Sequence, residues 1–142
     1  MSITSLIAGQ SEAVVSCSPR DSVHHAARLL AEKRIGALPV MEGESVAGIF
    51  SERDLLYCIA KEGAAVLDRA VAEVMTSPAI TIERGENVLT ALSMMTRRRI
   101  RHLPVVEDGR MVGFVSIGDL VKYRMDRIEA EAQAMRDYIT TA

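Results

Sequence analysis

Two short motifs of the same type and spacing could bind a ligand. Ser51 is followed three residues later by Asp54, and Ser116 is followed in the same way by Asp119. Each serine stands where a predicted strand passes into a predicted helix, and the free N–H groups at such a helix start attract phosphate. The carboxylate three residues on would repel a phosphate but can accept hydrogen bonds from two vicinal hydroxyls. The two residue types therefore suit a ribose beside a phosphate.

A purely structural role accounts for the same spacing. Ser-x-x-Asp is also the pattern of a capping box, in which the serine caps the helix and the acid bonds back to the cap amide. Each such box stabilises its helix by roughly 0.5–2 kcal/mol. Glycine precedes each serine by three residues, at Gly48 and Gly113, and a position without a side chain would let a ligand approach the backbone closely. Capping and binding are compatible at one residue, so both interpretations stay open.

One segment, 96–102 with the sequence TRRRIRH, concentrates positive charge in a chain whose formal net charge is −2. Arginines at the end of a helix complement its dipole, and they could also neutralise the phosphates of a ligand or of a nucleic acid. Binding of single strands would need aromatic side chains beside the basic ones. The chain's aromatic residues all lie outside this segment. Nucleic acid is therefore the less favoured partner.

Metal and catalytic chemistry have little support. Adjacent His24 and His25 would point about 100° apart on a helix, and the chain has no Cys-x-x-Cys or His-x-x-x-His pattern. Cys17 and Cys58 both lie in apolar segments, which favours buried free thiols. A Walker loop, a Gly-x-Gly-x-x-Gly run and a Gly-x-Ser-x-Gly elbow are also missing. We therefore expect no catalytic residue, no metal site and no enzyme activity.

An internal repeat must position the two motifs. Residues 14–58 align with residues 79–123 at a constant offset of 65, and the identities cluster around Leu-Pro-Val and Gly-x-x-Ser-x-x-Asp-Leu. We call these segments the first unit and the second unit. Two copies are too few for a solenoid. A face-to-face pair about a pseudo-twofold axis is therefore predicted.

Each unit has the pattern β-α-β-β-α, which places the chain in the α/β (α+β) class. Short β-prone runs at 14–17 and 79–82 precede helices with apolar residues at helical spacing. Two strands follow, joined by a turn at 42–44 or 107–109, and a second helix opens at Ser51 or Ser116. The apolar residues Ile3, Leu6 and Ile7 precede the first unit as Val71, Val74 and Met75 precede the second, and both sets predict a short helix.

The doubled pattern resembles the cystathionine-β-synthase (CBS) domain pair. The likeness rests on Leu-Pro-Val followed by Gly-Ile-Phe-Ser-Glu-Arg-Asp-Leu, and again by Gly-Phe-Val-Ser-Ile-Gly-Asp-Leu. It predicts a domain pair over residues 1–124, with motif one at about 3–62 and motif two at about 71–124, and a separate amphipathic helix at 125–142. The resemblance implies a regulatory sensor that binds an adenine nucleotide. AMP is the first choice, and ATP, NAD(H) or S-adenosylmethionine are the alternatives.

The resemblance also implies two clefts, each taking its serine and aspartate from one motif and its opposite wall from the other. Carried over to this sequence, cleft one would hold Thr76, Ala79, Ile80, Arg101, His102, Ser51, Arg53 and Asp54. Cleft two would hold Val14, Val15, Gly36, Ala37, Ser116 and Asp119. Cleft one has more cationic groups and should take the more highly charged ligand. A three-residue surplus around Gly9, Gln10 and Ser11 leaves the wall of cleft two undefined.

The C-terminal segment carries an apolar seam. Its members are spaced 4, 3, 4, 3 and 4 residues apart, at Val121, Met125, Ile128, Ala132, Met135 and Ile139. Such a stripe favours self-association or a partner helix over packing against the same chain. We expect a homodimer that signals in trans to an effector protein that the sequence does not identify. A ligand-free interaction module is the remaining alternative.

The N-terminal residues contain no Lys or Arg before Arg20, so the basic region of a signal peptide is missing. Stretches long enough to cross a bilayer, at about 20 apolar residues, are also missing. These features predict a cytoplasmic protein without a membrane partner.

Overall fold

The repeated pattern folds into two copies of one unit. The computed structural model describes residues 2–8, 10 and 14–141. The first unit contains helix α2 (Val23–Lys33), strands β1 (Ala37–Glu42) and β2 (Ser45–Ser51), and helix α3 (Glu52–Glu62). The second contains strand β3 (Ile82–Glu83), helix α4 (Val88–Arg98), strands β4 (His102–Glu107) and β5 (Arg110–Ser116), and helix α5 (Ile117–Thr141). The predicted mixed fold is confirmed.

Equivalent hairpins form the centre of each unit. Strand β1 pairs antiparallel with β2, and β4 pairs antiparallel with β5 in the same register, including a bulge after Val40 and after Val105. Helix α2 is capped by Ser22, whose side chain accepts from the His25 amide, and helix α4 is capped by Asn87, whose side chain accepts from the Leu89 amide. The repeat thus extends from sequence to hydrogen-bond register.

The β-prone runs before the first helix of each unit behave differently. In the second unit, β3 pairs parallel with β4 at Val105 and Val106. In the first unit, the predicted strand at 14–17 is reduced to a single bridge between Cys17 and Val40. Alternate amides of a strand face the same neighbour, so the next donor to β1 after Cys17 would be residue 19. That residue is Pro19, which has no N–H, whereas the equivalent residue in the second unit is Arg84.

The segments that precede each unit pack on the other unit. Helix α1 (Ile3–Ile7) buries Ile3 and Ile7 in the core of the second unit. The segment before the second unit buries Val71 in the core of the first, with Val74 and Met75 against it. The structure therefore has two apolar cores, and each includes residues that come from outside its own repeat.

The segment between the units is not the predicted α-helix. It forms two 3₁₀ helices, Gly63–Asp68 and Val71–Glu73. The 3₁₀ helix Val71–Glu73 still buries Val71 in the core. The predicted apolar face is therefore retained, although the helix is a 3₁₀ helix and not an α-helix.

Helix α5 begins in the second unit and continues past it without a break. Leu120 is fully buried and Tyr123 packs against the core, whereas every residue from 125 to 141 is exposed. The C-terminal segment 125–142 is thus, as far as Thr141, the continuation of α5, and its apolar seam is not covered by any other described part of the chain. Among the described helices, none combines the length and the hydropathy that a membrane span requires.

Candidate functional site

A cleft of about 630 Å³ lies between the two units. Both units contribute to its lining, which includes the ends of β2 and β5 and the starts of α3 and α5. We call it the inter-unit cleft. All eight residues predicted for cleft one line it, namely Thr76, Ala79, Ile80, Arg101, His102, Ser51, Arg53 and Asp54.

The first Ser-x-x-Asp motif forms a complete capping box at this cleft. The Ser51 hydroxyl accepts from the Asp54 amide at 3.2 Å, and the Asp54 carboxylate accepts from the Ser51 amide at 3.0 Å. The other carboxylate oxygen, Oδ1, accepts from the hydroxyl of Thr76 at 3.0 Å. Asp54 therefore ties the start of α3 to the segment that leads into the second unit.

The second motif forms the same capping box. The Ser116 amide donates to Asp119 at 2.9 Å, and the Asp119 amide donates to the Ser116 hydroxyl at 3.0 Å. Asp119 is exposed and does not line the inter-unit cleft. The capping interpretation therefore holds for both copies, and only the first copy presents its aspartate to the cleft.

The residues predicted for cleft two do not form one group. Gly36, Ala37 and Ser116 line the inter-unit cleft together with the cleft-one residues, whereas Val14, Val15 and Asp119 do not. Val15 packs against the core of the first unit. Of the surplus residues before the first unit, Gly9 and Ser11 lie outside the described residues. The side-chain Nε2 of Gln10 donates to the carbonyl of Phe114 at 2.9 Å.

Gly48 and Gly113 have a different role from the predicted one. A Cβ at Gly48 would lie 2.7 Å from the Met75 sulfur and 2.7 Å from the Thr76 carbonyl oxygen. A Cβ at Gly113 would lie 2.7 Å from Ile7 Cγ2. The missing side chains make room for the segment that precedes the other unit, so the expectation of ligand approach at these glycines is wrong.

His102 sits in the cleft wall, half-buried and stacked on Phe114 with ring centroids 5.7 Å apart. Burial lowers the pKa of His102, and repulsion from Arg101 lowers it further, against the opposing attraction of Asp119 and Glu52. The imidazole is therefore mostly neutral at pH 7 in the unliganded cleft. A neutral ring can stack on a base, and a phosphate nearby would favour its protonated form.

Sequence reasoning missed two charged cleft residues, Glu52 and Arg99. A Cβ at Gly36 would lie 2.8 Å from the Glu52 carboxylate and 3.4 Å from the His102 ring, which shows that these two side chains flank the glycine. The equivalent of Glu52 in the second unit is Ile117, so comparing the two copies position by position could have found it. Arg99 belonged to the basic segment without being assigned to the site.

The basic segment 96–102 divides at the cleft. Arg99 and Arg101 line it together with Arg53, whose guanidinium donates to the Arg99 carbonyl at 3.4 Å. Arg97 and Arg98 occupy the exposed last turn of α4 and do not line the cleft. Three arginines thus face two carboxylates, Glu52 and Asp54, and the arginine side chains leave a surplus of positive charge.

The two cysteines are free and buried, as predicted. Burial raises the pKa of the Cys17 thiol to about 12, with a smaller contribution from Asp21. Burial also raises the pKa of Cys58. Neither thiol is activated as a nucleophile.

The profile of the CBS domain matches residues 10–61 and again residues 71–126. Together these matches cover well over half of the sequence, and they fall on the two units of the fold. The chain belongs to the CBS domain family. The resemblance on Leu-Pro-Val and Gly-x-x-Ser-x-x-Asp is thereby confirmed, and the two units are a CBS domain pair.

Relatives and solved structures agree with this assignment. The mitochondrial CBS domain-containing protein CBSX3 of Arabidopsis thaliana is 37% identical over 128 residues, which cover 87% of this chain and 62% of the relative. The chain thus spans less than two thirds of that relative. A CBS-domain-containing protein from Agrobacterium tumefaciens is 37% identical with a TM-score of 0.82, over 87% of this chain and 99% of its own.

A CBS domain protein from Pyrobaculum aerophilum has been solved in complex with AMP. It is 28% identical to this chain with a TM-score of 0.74, over 84% of this chain and 89% of its own. An adenine nucleotide is therefore a ligand of a protein that shares this fold.

Proposed function

We propose that the CBS pair binds an adenine nucleotide in the inter-unit cleft and acts as a regulatory sensor, with AMP as the preferred ligand. The observation that carries the proposal is the meeting of Asp54, the start of α3 at Ser51 and three arginines in one cleft. A cleft of about 630 Å³ lies within the range of small-molecule sites. The AMP complex of the P. aerophilum relative supports the same ligand class.

The roles of the cleft residues follow from their chemistry. The α3 start and the Arg53, Arg99 and Arg101 guanidiniums would hold the phosphate. The Asp54 carboxylate would accept the ribose hydroxyls, since each carboxylate oxygen has two lone pairs and can keep its present bond. The apolar wall at Ala79 and Ile80, with the His102 ring, would hold the base.

AMP is preferred because a monophosphate places its whole charge beside the arginines. ATP, NAD(H) or S-adenosylmethionine would extend the same adenosine into the open part of the cleft. Binding can regulate a partner only if the ligand favours one of two conformations of the pair. We propose that the pair forms a homodimer and passes occupancy to an effector protein in trans, without catalysis of its own.

The test measures thermal unfolding with AMP, ADP, ATP, NADH and S-adenosylmethionine, each at millimolar concentration. A ligand at 100 times its Kd stabilises the fold by about 2.7 kcal/mol, so we expect AMP to raise Tm by several degrees. The absence of a shift with every one of these ligands would overturn the proposal and leave an interaction module whose Ser-x-x-Asp pairs are only caps.

Asp54→Ala and Asp119→Ala form a matched pair for the site. Both substitutions remove the acid of a capping box, so both should lower the free energy of unfolding by about 0.5–2 kcal/mol. Only Asp54→Ala should abolish AMP binding measured by calorimetry, since only Asp54 lines the cleft. Equal losses of binding would show that the ligand does not occupy this cleft.

A nucleic-acid ligand is the second candidate, and the basic segment 96–102 motivates it. Replacing Arg97 and Arg98 should leave AMP binding unchanged, because neither lines the cleft. If the protein binds RNA or DNA, the same change should flatten the salt dependence of that binding.

A further inference from the structure

Beyond the second unit, α5 presents an apolar stripe that none of the described residues 2–8, 10 and 14–141 covers. The stripe comprises the six seam residues Val121, Met125, Ile128, Ala132, Met135 and Ile139. The larger side chains are between 42% and 66% exposed. From the first to the last seam residue the helix extends about 27 Å at 1.5 Å per residue. A stripe this long and narrow matches the a and d positions of a coiled coil.

The heptad register follows from the spacing. The 4-3 pattern places Met125, Ala132 and Ile139 at a, and Val121, Ile128 and Met135 at d. The flanking e positions are then Lys122, Glu129 and Arg136, and the flanking g positions are Arg124, Glu131 and Tyr138. Charged residues thus occupy five of these six flanking positions.

A parallel pair of α5 helices joins opposite charges. In a parallel two-stranded coil, each g residue faces the e residue five positions later on the other helix. Arg124 then faces the partner's Glu129, and Glu131 faces the partner's Arg136. Two-fold symmetry doubles both contacts, so four oppositely charged pairs flank the seam.

An antiparallel pair that keeps the whole seam in contact joins like charges instead. Its layers place Val121 against the partner's Ile139, and e residues then face e residues while g residues face g residues. Lys122 would face the partner's Arg136, and Glu129 and Glu131 would each face their own copies. Like charges at these positions disfavour that arrangement.

We propose that α5 pairs with α5 of a second copy of this chain as a parallel, in-register, two-stranded coiled coil. Charge complementarity selects the second copy over an unrelated helix, because the g and e residues of this sequence complement one another. The proposal does not depend on the ligand of the inter-unit cleft.

The test is disulfide cross-linking at a seam position. In the parallel coil Ala132 faces the Ala132 of the second copy, within the Cα separation that a disulfide spans. Ala132→Cys should therefore give a covalent dimer under mild oxidation. Ala130→Cys is the matched control, because residue 130 lies at the f position on the outer face of the coil. This variant should form no covalent dimer. The unsubstituted protein should not cross-link, because Cys17 and Cys58 are buried.

Charge reversal tests the specificity of the pairing. With Ala132→Cys present, Glu129→Lys with Glu131→Lys makes all four paired flank positions, 124, 129, 131 and 136, positive. Arg124→Glu with Arg136→Glu makes the same four positions negative. Each variant alone should lose the covalent dimer, and an equimolar mixture should restore it as a heterodimer. Restoration would also show that both variants are folded.

Three outcomes would overturn the proposal. Ala132→Cys could fail to cross-link, or the dimer could persist in either single-sign variant. Cross-linking of an Ile128→Cys chain to an Ala132→Cys chain, without cross-linking of either to itself, would establish the antiparallel arrangement.

Discussion

Two equivalent aspartates differ in what surrounds them. Asp54 and Asp119 each complete a capping box, but Asp54 also accepts from Thr76 and lines the inter-unit cleft. One carboxylate oxygen serves the helix in both copies, and in the first copy the other oxygen faces the segment before the second unit. The cap therefore engages one oxygen of the Asp54 carboxylate, and its presence is no evidence against the proposed ligand site.

The histidine of the cleft should make stability depend on pH. Because the folded-state pKa of His102 lies below the usual 6.5, the unfolded chain binds more protons in this range. The free energy of unfolding should therefore be retained above pH 6.5 and should fall as the pH drops below it. Urea unfolding at several values between pH 5.5 and 7.5 measures this dependence.

His102→Asn is the control for that pH dependence. Groups other than His102 titrate in both proteins, so their contributions cancel in the difference between the two unfolding free energies. That difference should therefore change between pH 5.5 and 7.5 because of His102 alone. A constant difference from pH 5.5 to 7.5 would contradict the lowered pKa.

The strand glycines give a further residue-scale prediction. Gly48→Ala should lower the free energy of unfolding by about 1–3 kcal/mol, because the new methyl group meets the Thr76 backbone carbonyl as well as Met75. Gly85→Ala is the control, since a Cβ there meets nothing within 4 Å. Urea unfolding should show Gly85→Ala at or above wild-type stability, and a stable Gly48→Ala would contradict the packing role.

The sequence was sufficient to predict eight residues of the inter-unit cleft, but it missed Glu52 and Arg99 and the role of Gly48. Ser51 and Asp54 could be identified because their spacing is set by one turn of helix. Gly48 was misassigned because sequence shows that a side chain is missing and does not show what fills the space. Gly36 and Ala37 were assigned to cleft two and line the inter-unit cleft instead, because sequence does not show which of two walls a strand start faces.

At the scale of elements, the first helix of each unit ends on an arginine in the left-handed region. Arg34 has φ 53° and Arg99 has φ 55°, at equivalent positions of the repeat. Glycine adopts this conformation without the Cβ penalty. Arg34→Gly and Arg99→Gly should each raise the free energy of unfolding by about 1 kcal/mol.

The same two variants separate stability from binding. Arg99 lines the inter-unit cleft and Arg34 does not. Arg99→Gly should therefore weaken AMP binding in calorimetry while Arg34→Gly leaves it unchanged. Equal affinities for AMP in the two variants would exclude Arg99 from the phosphate site.

Elements with strong periodicity were predicted well, and short ones were not. Helices α2 and α4 carry both a cap and an apolar stripe, so sequence alone placed them. The run at 14–17 has strand-forming residues, but Pro19 has no N–H with which to extend the pairing beyond Cys17. Residues 71–73 form a 3₁₀ helix and still bury Val71, because one inward turn is enough to fill this part of the core. Apolar periodicity shows neither a missing backbone donor nor the number of helical turns that the core requires.

At the scale of the whole molecule, the units are joined by an exchange of segments. The Ile3 amide donates to the Glu86 carbonyl at 2.8 Å, and the Val71 amide donates to the Asp21 carbonyl at 2.8 Å. These are equivalent contacts, since Asp21 and Glu86 occupy the same place in the repeat. The core of each unit therefore includes a segment that precedes the other unit in the sequence. A single unit would lack that segment, so the pair should be more stable than either unit alone.

This exchange predicts where a core substitution acts. Ile3 and Val71 are both fully buried, Ile3 in the second-unit core and Val71 in the first. Ile3→Ala should lower the free energy of unfolding by about 2–5 kcal/mol. Val71→Ala should lower it by less, because truncating valine removes fewer carbon atoms than truncating isoleucine. Native-state hydrogen exchange at the equivalent amides of Val40 and Val105 reports on the two cores separately.

Each substitution should speed hydrogen exchange mainly in the unit that does not follow it directly in the sequence. Ile3→Ala should speed exchange at Val105 more than at Val40, although residue 3 lies before the first unit. Val71→Ala should speed exchange at Val40 more than at Val105. Equal acceleration at both amides in both variants would mean that the two cores open as one cooperative unit. A ligand in the inter-unit cleft would then act on the pair as a whole and could not shift one unit against the other.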